Sequence, residues 1–69
     1  MKISLNEQID EVRRELRMRP DVYSRQVATG KLRQSVAEYQ MERMEAVLRT
    51  LEWLQDNEQR IKDVLLEGS

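Results

Sequence analysis

Apolar residues recur at intervals of three and four positions on both sides of one short break, Thr29-Gly30-Lys31. That spacing is typical of amphipathic α-helices. Gly30 can adopt the left-handed conformation that ends a helix without steric cost. The sequence therefore predicts an all-α chain of one domain over residues 1–69, with a helix at 5–28, a turn at 29–33 and a helix at 34–66.

The first predicted helix has a start signal and an internal proline. Ser4 and Glu7 fit a capping box, in which the serine hydroxyl accepts from the glutamate amide. Pro20 removes one backbone hydrogen bond and clashes with the preceding turn. The apolar stripe nevertheless keeps its phase through Pro20 to Tyr23 and Val27. We therefore expect one helix, kinked near Pro20, rather than two.

The second predicted helix, which Ser35 and Glu38 are expected to cap, carries two apolar stripes. Because the connection is short, it is expected to lie antiparallel to the first helix as a hairpin. The stripe expected to meet the first helix, at Val12 and Leu16, comprises Ala37, Met41, Met44, Leu48 and Leu51. The other stripe comprises Val47, Leu51, Leu54, Ile61 and Val64 or Leu65. One neighbour cannot cover both stripes, so a homodimer in a four-helix arrangement is predicted.

The composition favours self-association for a second reason. Chains below roughly 70–80 residues usually need disulfides, a metal or a partner subunit to be stable. This chain has 69 residues with no cysteine and no histidine, which leaves the partner subunit. It also lacks the ~20-residue apolar run needed to cross a bilayer and the apolar stretch of a signal peptide, so the cytoplasm is the expected location.

Charge is unevenly distributed along the chain. Residues 13–33 carry a net charge of +5 and residues 38–67 a net charge of −4, which suits two helices lying side by side. Arg13, Arg17 and Arg25 form a candidate patch for a second partner, and nucleic acid would use such residues for phosphate contacts. The interleaved acids, a pI of about 5.4 and the lack of a recognition motif favour arginines that are solvated or paired with the second helix.

A further stripe on the second helix mixes aromatic, cationic and small residues, a composition enriched at binding hot spots. It comprises Tyr39, Arg43, Ala46, Thr50 and Trp53, flanked by Glu42, Glu45 and Arg49. One interpretation is an exposed anchor for a foreign protein. The other is that Tyr39 and Trp53 pack at the dimer seam with their polar atoms at its edge.

Catalysis is not expected. The chain has no histidine for general base work, no glycine-rich phosphate loop and no serine elbow motif. Carboxylate pairs such as Glu7–Glu11 are expected by chance among 13 acids. We therefore predict a protein that is not an enzyme and has no cofactor and no metal.

Three stretches, SLNEQIDEVRRELRMR, VYSRQVATGKL and RMEAVLRTL, carry a resemblance to a known group. They resemble small proteins encoded by temperate phages and prophages of proteobacteria, a group that includes anti-quorum-sensing proteins of Mu-like Pseudomonas phages. The pattern is a capped first helix ending in MR, a VY segment, a GKL turn and a second helix with MEAVL. It covers about residues 4–54.

The resemblance implies a small helical dimer that acts in the cytoplasm of an infected bacterium. It implies binding to the quorum-sensing activator LasR, which prevents activation of transcription. It also implies inhibition of the pilus assembly ATPase PilB, which blocks superinfection by pilus-dependent phages. Two alternatives stay open: a nucleic-acid-binding accessory protein, favoured by the arginines, and a structural or assembly protein of the phage.

Overall fold

The computed structural model describes residues 2–67 and, of these, the side chains of residues 2–65; residues 1, 68 and 69 of the expected domain lie outside it. Over that range the chain is all-helical, with α1 at Leu5–Ala28, α2 at Gln34–Asp56 and α3 at Glu58–Glu67. The first helix has the bounds expected from the sequence. The prediction of one continuous second helix is wrong, because it is interrupted at Asn57.

Helix α1 begins at the capping box that the sequence predicts. The Ser4 Oγ accepts from the Glu7 backbone N–H at 3.1 Å and donates to the Glu7 carboxylate at 3.1 Å. The helix then continues without a break through Pro20. Since proline has no N–H, the Leu16 carbonyl lacks its usual helical donor. The kink at this point stays a prediction.

Gly30 ends α1 in the conformation that the sequence predicts, with φ at +73°. Its N–H donates to the Val27 carbonyl at 3.1 Å, and the Lys31 N–H donates to the Gln26 carbonyl at 2.8 Å. These two bonds define a Schellman motif. A Cβ at this position would meet nothing within 4 Å, so the requirement for glycine is conformational.

The predicted cap of the second helix is wrong. Arg33 is the N-cap, with extended backbone (φ −74°, ψ 144°) and no side-chain capping bond. Helix α2 begins at Gln34, so Ser35 already lies within its first turn. The Glu38 carboxylate instead accepts from the Gln34 side-chain amide at 3.1 Å.

Asn57 separates α2 from α3. Its backbone N–H and its side-chain amide both donate to the Trp53 carbonyl, at 3.0 and 2.8 Å. Asparagine side chains compete with the helix in this way for backbone groups, which lowers their helix propensity. The Asn57 carbonyl then accepts from Ile61 at 2.8 Å, which starts the first turn of α3.

Helices α1 and α2 lie side by side, with the start of α1 next to the end of α2. Arg13 pairs with Glu52 at 3.2 Å, and the Gln55 amide donates to Asn6. Among the described residues, no Cα of α3 lies within 8 Å of a Cα of α1. The molecule is elongated, measuring 55 × 24 × 17 Å. No helix in the described range is both long and apolar enough to cross a membrane.

The core of a single chain is small. Ile9, Tyr23 and Ala37 are the buried apolar residues within the described range. The predicted core positions Val12, Leu16, Met41, Met44, Leu48, Leu51, Leu54 and Ile61 are half-buried. Leu65 is 69% exposed, so it does not belong to the core of one chain. Its predicted place in a dimer stays a prediction.

Candidate partner-binding site

The side of α2 that points away from α1, here called the outer face, carries the predicted aromatic stripe. It comprises Tyr39, Arg43, Ala46, Thr50 and Trp53, all exposed. Arg43 lies at the edge of this face, where it also lines a groove with Arg19 and Tyr23 of α1. Tyr39 is 59% exposed and Trp53 is 58% exposed. They lie about half a helical turn from Ala37 and Met44, which face α1. The Arg43 guanidinium lies 5.5 Å from the Tyr39 ring centroid, a cation–π contact that keeps both side chains on this face.

The predicted acids lie next to the outer face, at an open groove of about 400 Å³ between α1 and α2. We call it the acidic groove: Tyr23, Ala37 and Met41 are among its lining residues, and Glu38, Glu42 and Glu45 line it from α2. No lysine or arginine nitrogen of the described residues lies within 4 Å of these three carboxylates. Their charge is therefore available to a basic ligand.

Arg49 and Trp53 connect the two surfaces. Both are exposed on α2. In the helical repeat Trp53 falls between Glu42 and Tyr39, whereas Arg49 falls among the acids, one turn after Glu45. The predicted set of partner-binding residues thus divides into an aromatic outer face and an acidic groove that share an edge. The sequence did not reveal that Tyr23 and Ala37 line the groove, because the two residues come from different helices.

The predicted second patch divides in two, because Arg13 and Arg17 lie one helical turn apart whereas Arg25 lies near the end of α1. Arg13 pairs with Glu52 of α2, and Arg17 is exposed. Arg25 lies near the end of α1, beside a shallow groove lined by Val22, Gln26, Thr29 and Lys31. Twelve helical residues separate Arg13 from Arg25, about 18 Å along the axis. The structure therefore does not bring them into one patch, and Arg13 takes the pairing with the acidic second helix that the sequence favours.

Other arginines of α1 are engaged within their own helix. Arg14 hydrogen-bonds Glu11, and this bond lowers the pKa of the Glu11 carboxyl. Arg19 donates to Glu15 at 2.7 Å and to the Tyr23 hydroxyl at 3.0 Å. These hydrogen bonds raise the pKa of the Arg19 guanidinium. Arg19 and Tyr23 are four residues apart in the helix, a spacing that could have predicted their contact from the sequence.

A second open groove, here called the apolar groove, lies where the start of α1 meets the later part of α2. It has a volume of about 560 Å³ and is lined by Ile3, Val12, Val47 and Leu51, with Glu7, Gln8 and Glu11 also contributing. Ile3 and Val47 are 55% and 47% exposed. Sequence reasoning did not identify this groove.

No protein-family model, curated protein or solved structure matches this chain.

Proposed function

We propose that this chain is a homodimeric, phage-encoded inhibitor that binds host proteins through α2. The observation that carries the proposal is the exposure of Tyr39 and Trp53 on the outer face, at 59% and 58%. Aromatic side chains are enriched at binding hot spots and bury a large apolar area when a partner covers them. The proposed unit is an antiparallel hairpin of α1 and α2, paired with a second hairpin.

The surface area of one chain supports self-association. A compact monomer of 8.3 kDa exposes about 4,600 Å², whereas this chain exposes 5853 Å². The excess is larger than the ~800 Å² that each partner buries in an interface of standard size. A second copy covering this excess would supply the stability that the small core of one chain lacks.

The acidic groove favours a basic partner surface. Glu38, Glu42 and Glu45 lack a basic partner within the described residues, and complementary charge steers and orients protein association. A DNA-binding domain presents such a basic surface. The resemblance names the quorum-sensing activator LasR as the partner. The proposed mechanism is therefore competition with DNA, in which α2 covers the basic surface of the activator.

The resemblance also names the pilus assembly ATPase PilB as a second target, in the cytoplasm of the same infected host. The end of α1 around Arg25 is the proposed contact for it. Arg25 is exposed and lies away from both the outer face and the Arg13–Glu52 pair. One small protein would then act on two host processes through two surfaces.

A gel shift with the purified activator and its promoter DNA tests the first target. We expect the protein to remove the activator–DNA band and to cause no shift when it is alone with DNA. Tyr39→Ala and Glu45→Lys should each weaken this effect about tenfold or more, because hot-spot residues contribute more than ~1.4 kcal/mol. Circular dichroism should show that both variants keep their helicity.

Asp10→Lys is the matched control, because it makes a comparable charge change at an exposed position of α1 outside the acidic groove. It should act like the parent. If Tyr39→Ala and Glu45→Lys also act like the parent, the proposed surface is wrong. A shift by the protein alone would instead support the nucleic-acid-binding alternative, and that shift would weaken steeply with salt.

A further inference from the structure

We propose that α3 of one chain docks into the apolar groove of a second copy, and that the second copy returns the same contact. This inference rests on the self-association proposed above and assigns its interface. The contact is isologous, the kind that a two-fold dimer uses. The groove of each chain is complete only when the α3 of its partner fills it.

Helix α3 has an apolar side that its own chain does not cover. Val64 and Leu65 are 61% and 69% exposed, and Ile61 is half-buried. These three residues share one side of the helix because they are spaced three and four apart. A helix of ten residues is marginal in water without tertiary packing, since isolated helices need about 12–15 residues. Its apolar side therefore needs another surface to pack against.

The apolar groove has the composition and the length for this helix. Its apolar lining comes from Ile3, Val12, Val47 and Leu51. Its lining runs from Ile3, in the segment that precedes α1, to Val12 within α1. The two residues before the helix add at most about 7 Å, and the helical part from Leu5 to Val12 accounts for about 10 Å at 1.5 Å per residue. The ten residues of α3 span about 15 Å by the same rise.

Charged residues flank both surfaces. Glu7 and Glu11 line the groove from α1. On α3, Arg60 flanks the apolar stripe on one side, whereas Lys62 and Glu58 flank it on the other, by their positions in the helical repeat. Lys62 already pairs with Glu58 at 3.3 Å, and both side chains are more than half exposed. Such exposed charges contribute little affinity, but they favour one orientation of the docked helix.

The occupant is a second copy because α3 cannot reach the groove of its own chain. Asn57 is the one non-helical residue between α2 and α3, whereas reversing the chain between two helices takes a loop of about 2–5 residues. A second chain that runs antiparallel avoids this problem. Leu54 then meets the partner's Ile61, and Leu51 meets the partner's Leu65, along one seam of heptad spacing.

Disulfide trapping tests the docking directly, because the natural chain has no cysteine. A Val12→Cys chain is mixed with a Val64→Cys chain under mild oxidation, and a cross-linked heterodimer is expected. The control pair is Ala46→Cys with Val64→Cys, which should stay uncrosslinked because Ala46 lies on the outer face. Sedimentation of the parent protein establishes the dimer independently.

The outcomes separate this inference from the proposed function. A dimer that fails to cross-link through Val12 and Val64, or that cross-links through Ala46 instead, overturns the docking and leaves self-association intact. A monomer overturns both the docking and the dimer. Neither result decides binding to the activator, which the gel shift measures by itself.

A matched pair of alanine substitutions in α3 gives a second measurement. Leu65→Ala should raise the dimer dissociation constant about a hundredfold, since each of the two copies loses roughly 1.4 kcal/mol of apolar burial. Gln59→Ala, on the opposite side of α3, should change it less than about threefold. Alanine has the highest helix propensity, so both variants keep α3. Equal dissociation constants for Leu65→Ala and the parent would refute the docking.

Discussion

At the residue scale, three arginines of the basic segment of α1 form ion pairs with nearby acids. Arg14 and Arg19 bond acids one turn earlier in the same helix, and Arg13 bonds Glu52 across to α2. These pairs are exposed, so water and salt screen them and they contribute little to stability. They offset part of the positive charge of this segment, whereas Arg17, Arg25, Lys31 and Arg33 form no ion pair among the described residues.

The Glu11–Arg14 pair makes a prediction for proton binding. Its hydrogen bond lowers the pKa of Glu11, so Arg14→Gln should return that pKa to its ordinary value. Carbon-detected NMR titration of the carboxyl resonances measures this, with Arg17→Gln as the control that leaves Glu11 unchanged. Because the folded-state pKa is lowered, the pair stabilises the fold above the ordinary carboxyl pKa, and that stability is lost as pH falls through the lowered pKa. An unchanged Glu11 pKa in Arg14→Gln would contradict the assignment.

At the element scale, the first helix was predictable because strong local signals bracket it. The Ser4 cap of the Glu7 N–H and the left-handed Gly30 both depend on near neighbours in the chain, and both are confirmed. The Glu7 carboxylate accepts from the Ser4 hydroxyl rather than from the Ser4 backbone N–H of a full capping box. At the start of α2, by contrast, no side chain caps the helix. Gln34 starts α2 before Ser35, and sequence reasoning chose the residue with the better capping side chain.

The interruption at Asn57 was not predictable from periodicity. Leu54 and Ile61 are seven residues apart, so the apolar phase passes over the interruption unchanged, and no proline or glycine marks it. The signal lies in one side-chain amide that bonds the Trp53 carbonyl at 2.8 Å. The two grooves were also beyond sequence reasoning, because they depend on how α1 is rotated against α2.

A substitution at Pro20 tests the continuity of helix α1. This proline lies inside a continuous helix and is exposed, so Pro20→Ala restores a donor for the Leu16 carbonyl and should raise the free energy of unfolding by about 1–3 kcal/mol. Urea unfolding at fixed protein concentration measures it. Ser24→Ala, also exposed in α1, is the control and should gain no more than about 0.5 kcal/mol. A Pro20→Ala gain no larger than that of Ser24→Ala would mean that the local backbone already compensates for the missing bond.

At the scale of the whole molecule, the proposed surfaces point in different directions. The acidic groove belongs to the early and middle part of α2, and the outer face runs along α2 from Tyr39 to Trp53. The apolar groove lies on another side of α2, at Val47 and Leu51. A dimer formed through α3 would therefore leave both copies of the outer face free. Such a dimer would present two identical copies of the proposed binding surface.

Self-association predicts a stability that depends on protein concentration. If the folded chain is stabilised by a second copy, the midpoint of thermal unfolding should rise as the chain concentration increases. Calorimetry across a hundredfold range of concentration measures this. The parent midpoint should shift by several degrees, and Leu65→Ala should show a lower midpoint at every concentration. A midpoint independent of concentration would identify a monomeric folding unit.

The small core has a consequence for how freely this protein can evolve. Ile9, Tyr23 and Ala37 hold α1 against α2, and none of them belongs to the outer face. Substitutions at the exposed Tyr39 or Trp53 should therefore cost little folding stability, and under the proposed function they would change what the protein binds. If the outer face is the binding surface, a lineage carrying this scaffold could change its specificity one exposed residue at a time without disturbing the core.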